Sequence, residues 1–313
     1  MSSDQQTRSR VGSWVDSRVN SATELLLVGG RQVWDGLVYS SAYIALIAAL
    51  EVVMVMYVLD LPPNPAPLVV GCVTFAIYVN DRLVDTEVDA ASSPRRTAFV
   101  RRYSRTLTAL AAIAYGLAVA LAVYGGPRAL GLTLFPAVVW VLYAVDWAPT
   151  EWIPFQRMKE LLFVNSLLVA IAWAATVVLL PVVFADVTLT PTVGILFVYF
   201  AIGTFMGTEI ANVGDVETDR DGNVATLPTV VGVQHTRRAL YAIGLGGLGL
   251  LGYAFTRGYL GGVAVTALAV GLCCMLGVVA LLGRIDDTEL LAIGGECARL
   301  PVLVFLVVPT AGL

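Results

Sequence analysis

Residues 189–222 read LTPTVGILFVYFAIGTFMGTEIANVGDVETDRDG. Residues 189–212 are mostly apolar, and a membrane-spanning helix needs about 20 such residues. The run then turns acidic within a few residues, at Asp215, Glu217, Asp219 and Asp221. A lipid-compatible helix ending in carboxylates is the unit from which the rest of the chain is read. Eight further runs have the same apolar character, at roughly 37–59, 65–80, 107–125, 128–146, 161–184, 239–256, 260–282 and 289–311. Composition agrees: of 313 residues, 58% are hydrophobic and 13% charged, and the mean hydropathy is +0.81. A soluble domain carries about 25% charged residues. The expected fold is therefore an all-α integral membrane protein of about nine transmembrane helices. A polar N-terminal segment, 1–35, precedes a single polytopic domain, 36–313. Residues 1–31 hold Arg8, Arg10, Arg18 and Arg31 without a short apolar core, so no cleavable signal peptide is expected.

The basic residues orient the chain. Sixteen of nineteen fall on one set of flanks: the N-terminal four, Arg82, Arg95, Arg96, Arg101, Arg102, Arg105, Arg157, Lys159, Arg220, Arg237, Arg238 and Arg284. The positive-inside rule places that side, with the N-terminus and the polar segments 80–105, 147–160 and 212–238, in the cytoplasm of a multi-pass cell-membrane protein. The opposite connections are short and proline-rich, such as 60–67. The net charge of −4 gives no reason to expect a nucleic-acid partner. Cys72, Cys273, Cys274 and Cys297 have neither zinc nor disulfide spacing and read as small apolar residues. His235 reads as a solvated loop residue. Gly244-Leu-Gly246-Gly247-Leu-Gly249 matches a dinucleotide-binding pattern but lacks the strand before it, so close helix packing explains it better.

A second acidic stretch resembles the one quoted. It reads Asn80-Asp81-Arg82-Leu83-Val84-Asp85-Thr86-Glu87-Val88-Asp89. Asp81, Asp85 and Asp89 are spaced by four, as are Asp215 and Asp219, and such residues share one helix face. Stacked carboxylates repel one another, and a cation relieves that. Carboxylates and amides are hard oxygen donors that suit Mg²⁺, which binds through one or two carboxylates plus substrate phosphates. Asp85-x-Glu87-x-Asp89 and Asp215-x-Glu217-x-Asp219 match as a possible internal duplication with a period of four helices. Arg95, Arg96, Arg157, Lys159 and Arg220 lie nearby and suit phosphate oxygens. Together these residues imply a diphosphate head on a hydrocarbon tail.

At these motifs the sequence resembles the UbiA family of intramembrane prenyltransferases. The family's Asn-Asp-x-x-Asp-x-x-x-Asp motif is met by Asn80, Asp81, Asp85 and Asp89 with one residue inserted, so either Asn80 or Asp81 takes the first position. Asp215-Val-Glu217-Thr-Asp219-Arg220-x-Gly222, followed by Thr226-Leu-Pro-Thr-Val-Val-Gly232, is the closer match. Asn212 stands where an Asp is usual, and Tyr143, Arg157, Lys159 and Asn165 resemble the segment between the motifs. The resemblance implies Mg²⁺-dependent transfer of a prenyl group from an allylic diphosphate donor to a lipophilic acceptor in the membrane. It implies metal binding by Asp85, Asp215 and Asp219 with Asp81 or Asn80. Lys159, Arg95, Arg96, Arg157 and Arg220 are expected on the diphosphate, with Asn165 and Asn212 beside the substrate. Tyr143 is expected to bond the diphosphate or face the cation, and Asp89 to act as base. An allylic cation needs a dry, aromatic chamber. Trp34, Tyr39, Tyr43, Phe75, Tyr78, Trp140, Trp173, Tyr199 and Phe205 are the aromatic candidates, each of which also reads as packing or interfacial anchoring. A transporter, a lipid head-group phosphotransferase and a non-catalytic scaffold are the competing readings. The acceptor and the prenyl chain length are left open.

Overall fold

The structure is a computed structural model describing residues 30, 33–84, 86, 93–144, 164–221 and 224–308. The chain divides into two compact units, Met1–Tyr43 and Ile44–Leu313. In the first, residues Val33–Tyr39 form a short helix, α1, with Val33, Trp34 and Leu37 exposed. Apart from the first two residues of α2, everything described below belongs to the second unit.

Helices follow one another with short breaks: α2 (Ala42–Val58), α3 (Ala66–Val84), α4 (Pro94–Tyr124), α5 (Pro127–Ala144) and α6 (Val164–Ala174). A π-helical turn, Ala175–Leu179, leads from α6 into α7 (Leu180–Phe184). Then come α8 (Pro191–Asn212), α9 (Val216–Asp221), α10 (Leu227–Thr256), α11 (Gly262–Leu281), α12 (Thr288–Cys297) and α13 (Leu300–Val307). Among the described residues no strand occurs. Prolines open many of these helices, at Pro94, Pro127, Pro191, Pro228 and Pro301. A first-turn N–H has no helical partner, so proline loses nothing there.

Seven helical stretches are long and apolar enough to cross a membrane: Ala66–Val84, Pro94–Tyr124, Ser166–Phe184, Pro191–Asn212, Leu227–Thr256, Gly262–Leu281 and Thr288–Val307. Shorter α2 and α5 stand at two of the other positions expected from hydropathy. The protein is a helical membrane protein; its described residues hold seven full-length spans, or eight with the bent pair α1 and α2 counted as one, against about nine expected from hydropathy. Two expected loops are largely helical. α3 runs on to Val84, and α4 begins at Pro94 rather than near 107; α10 begins at Leu227 rather than 239. Helical hydrogen bonds close within the segment, so they continue past the apolar stretch. At 31 residues α4 is about 46 Å long, against a hydrocarbon core of about 30 Å. His235 accordingly sits on α10, exposed, with its ring Nδ1 3.1 Å from the Val231 carbonyl oxygen.

Alternating helix directions give the bundle two ends. At one, Asn64 Nδ2 donates to Pro181 O (3.2 Å), Thr192 Oγ1 donates to Tyr259 O (3.0 Å), and Gly125 lies against the Phe184 ring. At the other lie the ends of α3, α5 and α8 and the starts of α4, α6, α10 and α12. The described part of the first acidic motif, through Val84, and the second motif are therefore at the same end. Between the ends, Val52, Val55, Val69, Val73, Val177, Leu196, Phe200 and Leu268 form the largest apolar core. Leu110, Ile113, Leu117 and Leu245 point outward. In lipid, close packing replaces the hydrophobic effect as the force between helices. Two of the four glycines rejected as a nucleotide motif, Gly244 and Gly247, do this packing inside α10. A Cβ at Gly244 would meet Leu276 Cδ2 of α11 at 2.6 Å, and one at Gly247 would meet Leu272 Cδ1 at 3.0 Å.

Candidate active site

The second motif is built around the end of α8. Asp215 N–H donates to Asn212 O (3.2 Å), and Asp219 N–H donates to Asp215 O (2.7 Å). That single turn places Asp215, exposed, and Asp219, half-buried, one above the other. Thr226 closes the loop. Its hydroxyl donates to Asp219 Oδ2 (3.4 Å), and its N–H donates to Thr229 Oγ1 (2.9 Å) in a capping box that starts α10. Such a cap satisfies N–H groups that have no helical partner. Six residues later Gly232 takes φ +77°, turning the chain into the membrane section of α10. Only glycine adopts that angle readily, which accounts for the glycine ending Thr226–Gly232. Glu217, Arg220 and Asp221 are exposed.

Beneath the motif lies an acid that the sequence reading passed over. Glu209 is 1% exposed, and its Oε2 accepts from Leu227 N–H (3.2 Å) and Asn212 Nδ2 (3.3 Å). Asn212 also reaches Ser166 Oγ on α6 (3.4 Å). Glu209 thus ties the start of α10 to the end of α8, and the Asn212 amide is spent on this frame. Its signal in the sequence was a lone carboxylate inside an apolar span, which is expensive unless partnered.

The first motif is described as far as Val84, with Thr86. Asn80 turns its amide back along α3, donating to Ala76 O (2.8 Å). Asp81 is held across the bundle, where Trp140 Nε1 of α5 donates to Asp81 Oδ1 (3.1 Å). Arg95 and Arg96 stand about 100° apart around α4: Arg95 is exposed and Arg96 half-buried. Asp85, Asp89, Arg157 and Lys159 lie outside the described residues, as do the side chains of Tyr143 and Asn165. Among the described residues, no three acidic, cysteine or histidine side chains converge on one point. Asp81, Asp215 and Asp219 are hard oxygen donors at one end of an apolar bundle. That donor chemistry suits Mg²⁺.

A second polar group lies deeper, also unnoticed in the sequence. Glu51 of α2 and Arg299 at the break between α12 and α13 are 0% and 3% exposed, with Oε1 and Nε 2.9 Å apart. Trp173 Nε1 donates to Glu51 Oε2 (2.8 Å). Arg299 also donates to Thr204 Oγ1 (3.2 Å) and pairs with Glu296 Oε2 (3.4 Å). Gly203 makes room for this arginine, since a Cβ there would lie 3.2 Å from Arg299 Cδ. The Trp173 ring meets Tyr78 edge-on, 6.2 Å between centroids.

Comparison with known proteins bears on this arrangement. A model of the UbiA prenyltransferase family matches residues 52–293. No curated protein matches the sequence. Among solved structures, the chain is similar to the apo UbiA homolog from Aeropyrum pernix K1, at 14% identity and a TM-score of 0.65, over 87% of this chain and 98% of that one. It is similar to a UbiA homolog from Archaeoglobus fulgidus bound to GPP and Mg²⁺, at 12% identity and a TM-score of 0.62, over 88% and 99%. A digeranylgeranylglyceryl phosphate synthase structure is similar at 16% identity and a TM-score of 0.58, over 90% and 100%. At these identities the structures share a fold. The family model covers most of the chain, from within α2 into α12, and both acidic motifs lie inside it: this chain belongs to the UbiA prenyltransferase family.

Proposed function

We propose that the protein catalyses Mg²⁺-dependent transfer of a prenyl group from an allylic prenyl diphosphate to a lipophilic acceptor within the membrane, releasing diphosphate. One observation carries this reading. Asp215 and Asp219 are stacked on one helical turn at the same bundle end as Asp81, with apolar helices behind them. Family membership and the GPP and Mg²⁺ bound to the Archaeoglobus fulgidus homolog support it.

In this reading Asp81, Asp85, Asp215 and Asp219 hold Mg²⁺, which supplies positive charge against the diphosphate. Asn80 is the weaker ligand candidate, because its amide nitrogen is already engaged. Lys159, Arg157, Arg96 and Arg220 neutralise the remaining phosphate oxygens, with Tyr143 and Asn165 alongside. The allylic C–O bond breaks with its electron pair going to the diphosphate oxygen. The acceptor's nucleophilic atom then bonds to the allylic carbon, and its proton passes to a carboxylate base, for which Asp89 is proposed. The bundle keeps water from the cation. The N-terminus and both motifs face the cytoplasm in this proposal, on the strength of the basic residues gathered on that side.

The test is diphosphate release. Purified protein with Mg²⁺ and GPP should release diphosphate when given a suitable lipophilic acceptor, with a new bond at the prenyl carbon of the product. Asp85→Ala and Asp215→Ala should abolish it, and full activity in both would overturn the site. Substrate uptake into proteoliposomes without product formation would favour a transporter instead.

A further inference from the structure

The cluster around Arg299 takes no part in holding diphosphate, yet its composition is unusual for the middle of a membrane bundle. It holds two carboxylates, Glu51 and Glu296, for one guanidinium. Glu51 is fully buried and Glu296 partly so, and the two acids share one guanidinium. A cluster that only tied helices together needs one acid for one base, and apolar side chains of similar volume would serve as well. Negative charge on a buried carboxylate is accommodated when a positive charge forms beside it.

Backbone irregularities flank the cluster on two sides. The π-turn Ala175–Leu179 follows directly on Trp173–Ala174. The last span breaks at Ala298–Arg299. Helix breaks and π-turns at membrane depth tend to mark functional sites.

The cluster reaches toward the site through one side chain. Trp173 points into the bundle, since its N–H bonds a fully buried carboxylate, yet its ring is only half-buried. Tyr78, its edge-on partner, precedes Asp81 by three residues, so it lies about 4.5 Å deeper along α3. An allylic carbon one bond beyond a diphosphate held at Asp81 would lie at this level. A charge-assisted hydrogen bond from the indole N–H to a carboxylate pushes electron density into the ring, and tryptophan is the best aromatic face for a cation. Two of the nine aromatic residues picked out in the sequence make that bond: Trp140 spends it on Asp81 of the first motif itself, and Trp173 makes it to Glu51, beside Tyr78. Tyr199, by contrast, is buried and donates its hydroxyl to Leu268 O (3.0 Å).

We propose that Trp173 is a catalytic residue of the prenyl transfer. Its indole face, enriched by Glu51, receives the positive charge that appears on the allylic carbon as the C–O electron pair leaves with diphosphate. Glu51 is the positioning residue behind it, and Arg299 holds Glu51 in place. The inference rests on the prenyl-transfer reading above. Because the positive charge exists only after the bond begins to break, the interaction raises kcat and leaves ground-state binding alone.

Fluorinated tryptophans placed at position 173 alone provide the test, since they preserve shape and the N–H while draining the ring's electron density. With GPP, Mg²⁺ and an acceptor, log kcat for diphosphate release should fall steadily with fluorine number. The total loss should be about 2- to 30-fold, with the donor KM unmoved. Glu51→Gln keeps an acceptor for the indole and leaves Arg299 paired with Glu296. It should lower kcat at unchanged KM with thermal unfolding near wild type; if it misfolds, the fluorine series decides. A kcat indifferent to fluorination in an active protein overturns this inference alone. A wild type that releases no diphosphate with any acceptor overturns the prenyl-transfer reading, and the inference falls with it.

Discussion

Asn80 and Asp81 are neighbours that the structure holds in different ways. The amide of Asn80 is folded back onto Ala76 O, whereas the Asp81 carboxylate is braced by Trp140 from another helix. Asp81→Ala should cost about 100-fold or more in diphosphate release, in line with losing a group that stabilises developing charge. Asn80→Ala should cost less than about tenfold on the same scale, and the reverse order would assign the ligand to Asn80. Glu209 belongs to the frame below. Glu209→Ala leaves Leu227 N–H and the Asn212 amide without their acceptor. It should lower stability by about 1–3 kcal/mol, read as the thermal unfolding midpoint in detergent.

At the scale of helices, small residues decide how closely elements approach. A Cβ on Gly271 of α11 would meet Val302 Cγ2 at 2.6 Å and Tyr199 Oη at 2.7 Å, while one on Gly246 of α10 meets nothing within 4 Å. Gly271→Ala should therefore destabilise by about 1–3 kcal/mol. Gly246→Ala should stabilise by about 0.5–1 kcal/mol by removing backbone entropy from a helix interior. Unfolding midpoints in one detergent would show the opposite signs. Helices were the most legible level of the sequence, because apolar length is a one-dimensional property. Their ends were not: α3, α4 and α10 extend well past their apolar stretches, as hydropathy marks where lipid ends and not where hydrogen bonding ends. The second acidic motif was legible because its acids are four apart on one turn. The Glu51–Arg299 pair was not, because each reads as a single charge in a separate apolar run and only the fold brings them together.

Across the whole molecule, that pair joins α2 to the last span, two elements distant in sequence. Its two sides differ in what they leave behind. Arg299→Met strands Glu51 in the interior with no counter-charge and should cost about 3–5 kcal/mol. Glu51→Gln leaves Arg299 its second acid, Glu296, and should cost far less in the same unfolding measurement. Equal losses would mean that the acids do not share the arginine. The pairing also sets a timetable for making the protein. Glu51 emerges from the ribosome about 250 residues ahead of Arg299; at roughly 5–20 residues per second it waits some 12–50 seconds for its partner. Through that interval a carboxylate sits in a nascent span with no counter-charge, and the helices beside it have no ionic reason to close. The ionic closure of Glu51 is thereby deferred until the span carrying Arg299 is inserted, so pairing at the bundle's centre should come late in folding.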